Sequence, residues 1–299
     1  MQRTWCSALP GLLVLLGLLL QSRPLVACSS CGSGGADPLV LNPSESQKIY
    51  LGLGLQHGFE DFDGQGIERA NFGAERKWAS EVAFAQRLSS RLFGSAVTGF
   101  GFNQKHSRQQ NGQADSSLNL RFTALQPSMV ETLWPQVQLI LSHRFATGRS
   151  IQESKKESYL DVFGAGYDET YLGTDIWWGM LPVMFGGSYL YGVPVESNTP
   201  NGRLKVGRLQ RAILTVGALV QPEVKLIGGA IGERRGGGEL DGILQTDSDR
   251  RTQDVFVTLE TLYPEGDNWR FTLTRKAAFG ELKNASRFWG LTAAWMRTL

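Results

Sequence analysis

Serine, histidine and cysteine are the side chains that would have to act if this chain made or broke covalent bonds, and they are poorly arranged for it. The histidines are His57, His106 and His143. His106-Ser107 falls in a predicted loop. Ser142-His143 sends neighbouring side chains to opposite faces of a predicted strand, because residues of an extended chain alternate. Neither pair reproduces the His-x-Ser order of the outer-membrane phospholipase, nor places a base within reach of a nucleophile. A lipid-modifying enzyme is therefore the weakest reading.

Cys28-Ser-Ser-Cys31 is the other reactive constellation. In an oxidising compartment the pair forms a disulfide most simply. Leu25-Val26-Ala27-Cys28 also has the form of a lipobox, in which Cys28 is acylated and becomes the first residue, leaving Cys31 alone. Soft-metal capture would need more ligands than stand nearby, and no histidine follows Cys31 to suggest covalent haem. Arg234-Arg235-Gly236-Gly237-Gly238 lacks the following helix of a phosphate cradle. No metal and no cofactor is expected.

The elements around these residues set the compartment. Arg3 followed by the uncharged stretch Ala8 to Leu20 is too short for a bilayer helix and right for the apolar core of a secretory signal. Residues 1–27 are read as a cleaved signal peptide and 28–46 as a flexible periplasmic leader. The full chain has a formal net charge of +2, and losing Arg3 and Arg23 brings it to about zero, which gives no reason to expect nucleic acid.

From Gln47 onward the hydrophobic period is two. Leu51, Leu53 and Leu55 alternate with Tyr50, Gly52 and Gly54; Val137, Leu139 and Leu141 alternate with Gln138, Ile140 and Ser142. Twelve strands are predicted, over 47–59, 77–87, 91–105, 114–125, 135–146, 169–180, 182–194, 207–220, 223–234, 252–263, 269–280 and 286–299. They are long for globular strands, and the connections tend to alternate long and short, as the outer loops and inner turns of an outer-membrane barrel do. The fold class is all-β: residues 47–299 form a twelve-stranded antiparallel transmembrane barrel in the cell outer membrane. Trp78, Trp134, Trp178, Tyr189, Tyr191, Tyr263, Trp269, Trp289 and Trp295 fit interfacial girdles.

Parity sends a set of charges inward: Lys77, Glu81, Arg87, Arg121, Arg144, Asp175, Arg211, Lys225, Glu233, Asp254, Glu260, Arg270 and Lys276. Their mild basic excess favours small anions if the lumen is open, and opposite charges plug it if they pair. Arg275 falls on the lipid face, which demands either a bulge or a place near the outer rim. Passage or uptake of a small solute, anionic where the basic excess decides, is the leading expectation. The alternative is a closed barrel with a structural, adhesive or assembly role. Outer-membrane lipids and the barrel-assembly machinery are the other expected partners.

EVAFAQRLSSRLFGSAV at 81–97 and DVFGAGYDETYLG at 161–173 resemble the family of outer-membrane barrels labelled as phenol-degradation pathway transporters. The resemblance implies a periplasmic turn between two early strands, an outer loop ending in Gly-x-Gly, and a transporter-like role. The Cys28-x-x-Cys31-Gly leader is similar to one seen on some such barrels. Leu299 departs from their usual final phenylalanine, although Trp289, Leu291, Ala293 and Trp295 keep the alternation of an insertion signal.

Overall fold

The computed structural model describes residues 39–41, 45–69, 75–105, 107–126, 134–155, 159–180, 182–261, 263 and 266–299. Residues 1–38, with the stretch read as a signal peptide and Cys28 and Cys31, lie outside the described residues, as does His106.

Twelve long strands close into a barrel. They are β1 (Gln47–Phe62), β2 (Glu75–Arg87), β3 (Leu92–Lys105), β5 (Ser116–Leu125), β6 (Gln136–Phe145), β7 (Glu169–Met180), β8 (Val183–Pro194), β11 (Leu209–Gln221), β12 (Val224–Arg235), β15 (Arg250–Thr261), β16 (Asp267–Lys276) and β17 (Ala285–Thr298). Each pairs antiparallel with its neighbours, and β1 closes the ring on β17. Closure leaves no free sheet edge, as a lipid environment requires.

Five shorter strands decorate the loop end. β4 (Arg108–Gln113) folds back on β3. β9 (Ser197–Thr199), β10 (Gly202–Lys205), β13 (Glu239–Leu240) and β14 (Ile243–Leu244) form a separate four-stranded sheet from two loops. These five lie where the alternation predicts only loop. Gln47 and Thr298 share the opposite end, which delivery from inside makes periplasmic.

The strand predicted over 269–280 ends instead at Lys276. Ala277 adopts φ 52° and Gly280 φ 78°, left-handed conformations that break the ladder and turn the chain into the outer loop. Arg275 pairs in register with Val255 and Trp289, with no shift of register there. It does face outward, one residue from the extracellular end of β16.

The outer face carries the apolar set: Leu53 is 68 % exposed and Leu214 70 %, in company with Val82, Leu118, Leu172, Val257 and Leu291. Trp78, Trp134, Trp178, Tyr189, Tyr263, Trp269 and Trp289 are exposed with them. In water such a surface would be an aggregation hazard; in a bilayer it is the favourable one.

Candidate functional site: the barrel lumen

The strand register settles which side chains share the inner face. Lys77 and Glu81 on β2 stand opposite Gln56 and Gly52 of β1; Arg87 stands at the foot of β2 opposite Phe93. Arg121 of β5 faces Ile140 and Phe93, Arg144 of β6 faces Glu169, and Asp175 of β7 faces Gln138 and Ser188. Arg211 and Glu233 are cross-strand partners, as are Lys225 with Glu260 and Glu260 with Arg270. Asp254 and Lys276 belong to the same inward set on β15 and β16. The chain's titratable interior thus lines one lumen, which divides into three levels.

At the periplasmic mouth the lumen is filled by the chain itself. Leu39, Val40 and Leu41, within the segment read as a leader, are 0, 1 and 2 % exposed. They pack with the inward Tyr50, Ala83, Ala85, Phe93, Ala294 and Met296. Lys48 donates to the Val40 carbonyl at 3.2 Å and pairs with Glu45 at 2.7 Å, while the Arg87 Nε donates to the Glu45 carbonyl at 2.8 Å. The small side chains of Ala83, Ala85 and Ala294 leave the room that this apolar triplet occupies.

In the middle, polar side chains bind one another across the wall. Arg121 pairs with Asp175, which also accepts from Ser188, and Arg121 reaches Gln138 Oε1 at 3.4 Å. Asn119 joins Ser95 at 3.1 Å and accepts from Ser142. Nearer the periplasm Glu260 lies between Arg270 at 3.2 Å and Lys225 at 3.7 Å. These charges are almost wholly buried, and pairing is the condition on which a buried charge is tolerated.

Toward the outside, Glu169 is fully buried and gathers Arg144 at 2.9 Å, Arg235 at 2.8 Å and the Tyr171 hydroxyl at 2.6 Å. The Tyr167 ring lies under both guanidinium groups, 5.2 Å from that of Arg144 and 5.5 Å from that of Arg235. Arg211 and Glu233 pair at 2.6 Å alongside. Part of the loop 146–168 folds onto this region. The Asn103 Nδ2 donates to the carbonyls of Leu160 and Val162 at 2.9 and 3.1 Å. Phe163 lies on Gly101 and Gly112, where an added Cβ would stand 2.5 Å from its ring.

On the β2 wall solvent reaches the lumen-facing side chains. Lys77, Ala79 and Glu81 face inward and are nonetheless exposed. Above them a cavity of about 300 Å³ is lined by Gln56, Glu75, Lys77, Arg250, Lys276 and Phe288, among others. Lys77 pairs with Glu75 at 3.5 Å. Lys276 rests over the Phe288 ring at 5.2 Å, and among the described residues neither it nor Arg250 has a carboxylate within 4.0 Å. The Arg250 Nε is buried without a hydrogen-bond partner. Among the residues lining the cavity, Lys77, Arg250 and Lys276 outnumber the one acid, Glu75.

Several lumen residues escaped the parity reading. Lys48 shares the parity of Tyr50, Gly52 and Gly54 and is absent from the set of charges predicted to point inward. Glu169 starts its strand and shares the parity of Asp175, so the signal for it was present. Arg250 precedes the predicted start of its strand by two residues, and Arg235 follows the predicted end of its own by one. Of the reactive pairs, Ser142 faces inward to Asn119, while His143 faces outward, hydrogen-bonded to Thr170 at 2.9 Å and edge-on to Phe145.

No protein-family model and no curated protein matches the chain. Among solved structures it is similar to an outer-membrane channel from Pseudomonas putida F1, with a TM-score of 0.71 at 13% identity over 89% of this chain and 98% of that one. The fold is an outer-membrane β-barrel. The translocator domain of the autotransporter NalP from Neisseria meningitidis is a second such likeness, with a TM-score of 0.52 at 12% identity over 98% of both chains. Together with the apolar outer wall, this architecture puts the chain in the outer membrane, its loop end outward.

Proposed function

We propose that the barrel admits small anionic solutes from the outside and passes them along the β1–β2 wall to a gated periplasmic exit. The observation that carries this reading is the cavity with Arg250 and Lys276, two cations without a carboxylate partner in a water-accessible part of the lumen. Cations facing a solute path raise the local concentration of anions and set selectivity. The exposed Lys77 and Glu81 continue the path inward, and the Leu39 to Leu41 triplet stands across its end. Outer-membrane channel function in the Pseudomonas putida structure of the same fold supports a passage role in general.

The same triplet favours a second reading, a permanently closed barrel whose outer loops do the work. Planar-bilayer recordings of the full chain separate the two. Under the proposal, current steps are ohmic and the reversal potential in a salt gradient shows anion preference. Arg250→Gln with Lys276→Gln then lowers that preference. Silence from a heat-modifiable, folded barrel in both the native form and a Leu39→Ser, Leu41→Ser form supports the closed barrel. Delivery by the barrel-assembly machinery fits β17, whose outward Trp289, Leu291, Ala293 and Trp295 alternate with inward residues toward the periplasmic side.

A further inference from the structure

Arg275 is the charge that the lipid-facing wall should not carry, and its surroundings supply a reason for it. Its register partner is Trp289, whose partner is His57, then Arg76, then Gln104, on five adjacent strands from β16 to β3. All five face outward in the extracellular half of their strands. Neighbouring strands are about 4.8 Å apart, so the row extends about 19 Å across the wall. The Arg275 guanidinium lies 5.3 Å from the centre of the Trp289 ring, and its Nε is buried with no hydrogen-bond partner.

The carboxylates nearby are engaged elsewhere: Glu60 by Arg287, Asp61 by Arg69, and Glu281 by Arg251. Neither Arg275 nor Arg76 has an acidic partner among the described residues. The next outward row toward the periplasm is wholly apolar: Leu273, Leu291, Leu55, Trp78 and Phe102. Below the cations the wall is indented. A groove of about 330 Å³ runs between Leu53, Leu55, Trp78, Phe100, Phe102 and Leu291, opened by the small Ser80 and Ala293.

We propose that this face holds a lipid of the outer leaflet that bears more than one phosphate, its headgroup phosphates against Arg275 and, three strands away, Arg76, and an acyl chain in the groove. A cation at the headgroup level attracts anionic lipid, and a donor buried without a partner gains most from an oxyanion. The chemistry of the groove matches the tail, and the row above matches the head. The assignment concerns the outer wall and stands independently of what passes through the lumen.

The test is native mass spectrometry of the full chain in detergent, titrated with a bis-phosphorylated acyl-disaccharide lipid, with its dephosphorylated form and with inorganic phosphate as competitor. Each variant is first shown to be folded by its heat-modifiable migration. Arg76→Gln with Arg275→Gln is expected to weaken retention of the phosphorylated lipid about 30-fold, the share of two interfacial arginines. Ala293→Trp, which fills the groove, weakens it too, whereas Arg275→Lys retains most of it and Arg234→Gln all of it. Unchanged retention in the double glutamine variant, or equal retention of the dephosphorylated lipid, overturns the assignment. Displacement of the lipid by inorganic phosphate alone would make this a free-anion site and overturn it as well.

Discussion

Replacing Leu39 and Leu41 by serine tests whether the chain closes its own periplasmic exit. Both leucines are essentially unexposed, packed among the inward side chains of β1, β2, β3 and β17. Full burial of such a side chain contributes about 1.5 to 3 kcal/mol, so the double replacement removes roughly 3 to 6 kcal/mol from the docked state. At about 1.4 kcal/mol per factor of ten, the ratio of docked to released exits falls by roughly two to four orders of magnitude. The anchor beneath should survive, because Glu45 keeps Lys48 and Arg87 and does not depend on the triplet. In planar bilayers the variant should spend most of its time in a higher-conductance state that the native chain visits rarely. The outer wall is untouched, so heat-modifiable migration should be unchanged. A folded variant with native conductance would refute the argument, since the resistance would then lie elsewhere in the lumen.

The lumen and the loops yield further expectations. Arg250→Gln and Lys276→Gln should each lower anion preference by about 1 kcal/mol, roughly five-fold in the permeability ratio, because a water-filled site screens each charge to about that value at 4 Å; reversal potentials in a salt gradient measure it. Glu81→Gln should move the reversal potential the other way by a similar amount, since Glu81 is the exposed inward acid on the same wall. Asp175→Asn should destabilise the barrel by about 3 to 5 kcal/mol, leaving Arg121 buried without its counter-ion, and urea unfolding in detergent reads that loss. In the outer loop, burial pushes the Asp161 carboxyl up, but bonds from Ser154, the Lys155 N–H and Arg149 outweigh it and hold the pKa at about 2, below the ordinary 3.8. A depressed carboxyl stabilises the folded loop above its ordinary pKa and loses that contribution as pH falls from there through about 2. Proteolysis of the loop should therefore rise across that window, and Asp161→Asn should make it insensitive there.

The twelve wall strands were legible because each repeats one local rule over ten or more residues. Leu139, Leu141 and their like fall on alternate positions, and lipid outside and polar groups inside both enforce the alternation. β4 was not legible, for Arg108–Gln113 contains no apolar residue and takes its place only by pairing with β3. The two-residue to four-residue strands of the loop sheet are too short to show any period. Parity identified Arg144 but not the cluster it belongs to: Arg235 also pairs with Glu169 from 66 residues away, and only the curvature of the wall brings them together. Phe163 on Gly101 is the same case, a loop returning to the wall with no local pattern to announce it. Leu39-Val40-Leu41 did leave a trace, as an apolar triplet in an otherwise polar leader.

The distribution of charge within the lumen follows from where water reaches. Arg121 with Asp175, Glu260 with Lys225 and Arg270, and Glu169 with Arg144 and Arg235 all lie where solvent is nearly excluded, and there an uncompensated charge would cost several kcal/mol. Lys276 and Arg250 have no carboxylate within 4.0 Å and border a cavity of about 300 Å³, where, on the proposed passage role, they would meet an entering solute. The two ends of the lumen differ in kind as well. The outer side is narrowed by polar ties such as Asn103 to the loop, and an entering anion or water can substitute for ties of that sort. The periplasmic exit is closed by leucine and valine against alanine and phenylalanine, which neither water nor a small anion can replace. On the proposed passage role, such a lumen would fill from the outside while its exit stays shut, and release of the triplet, rather than entry of the solute, would be the step that limits flow.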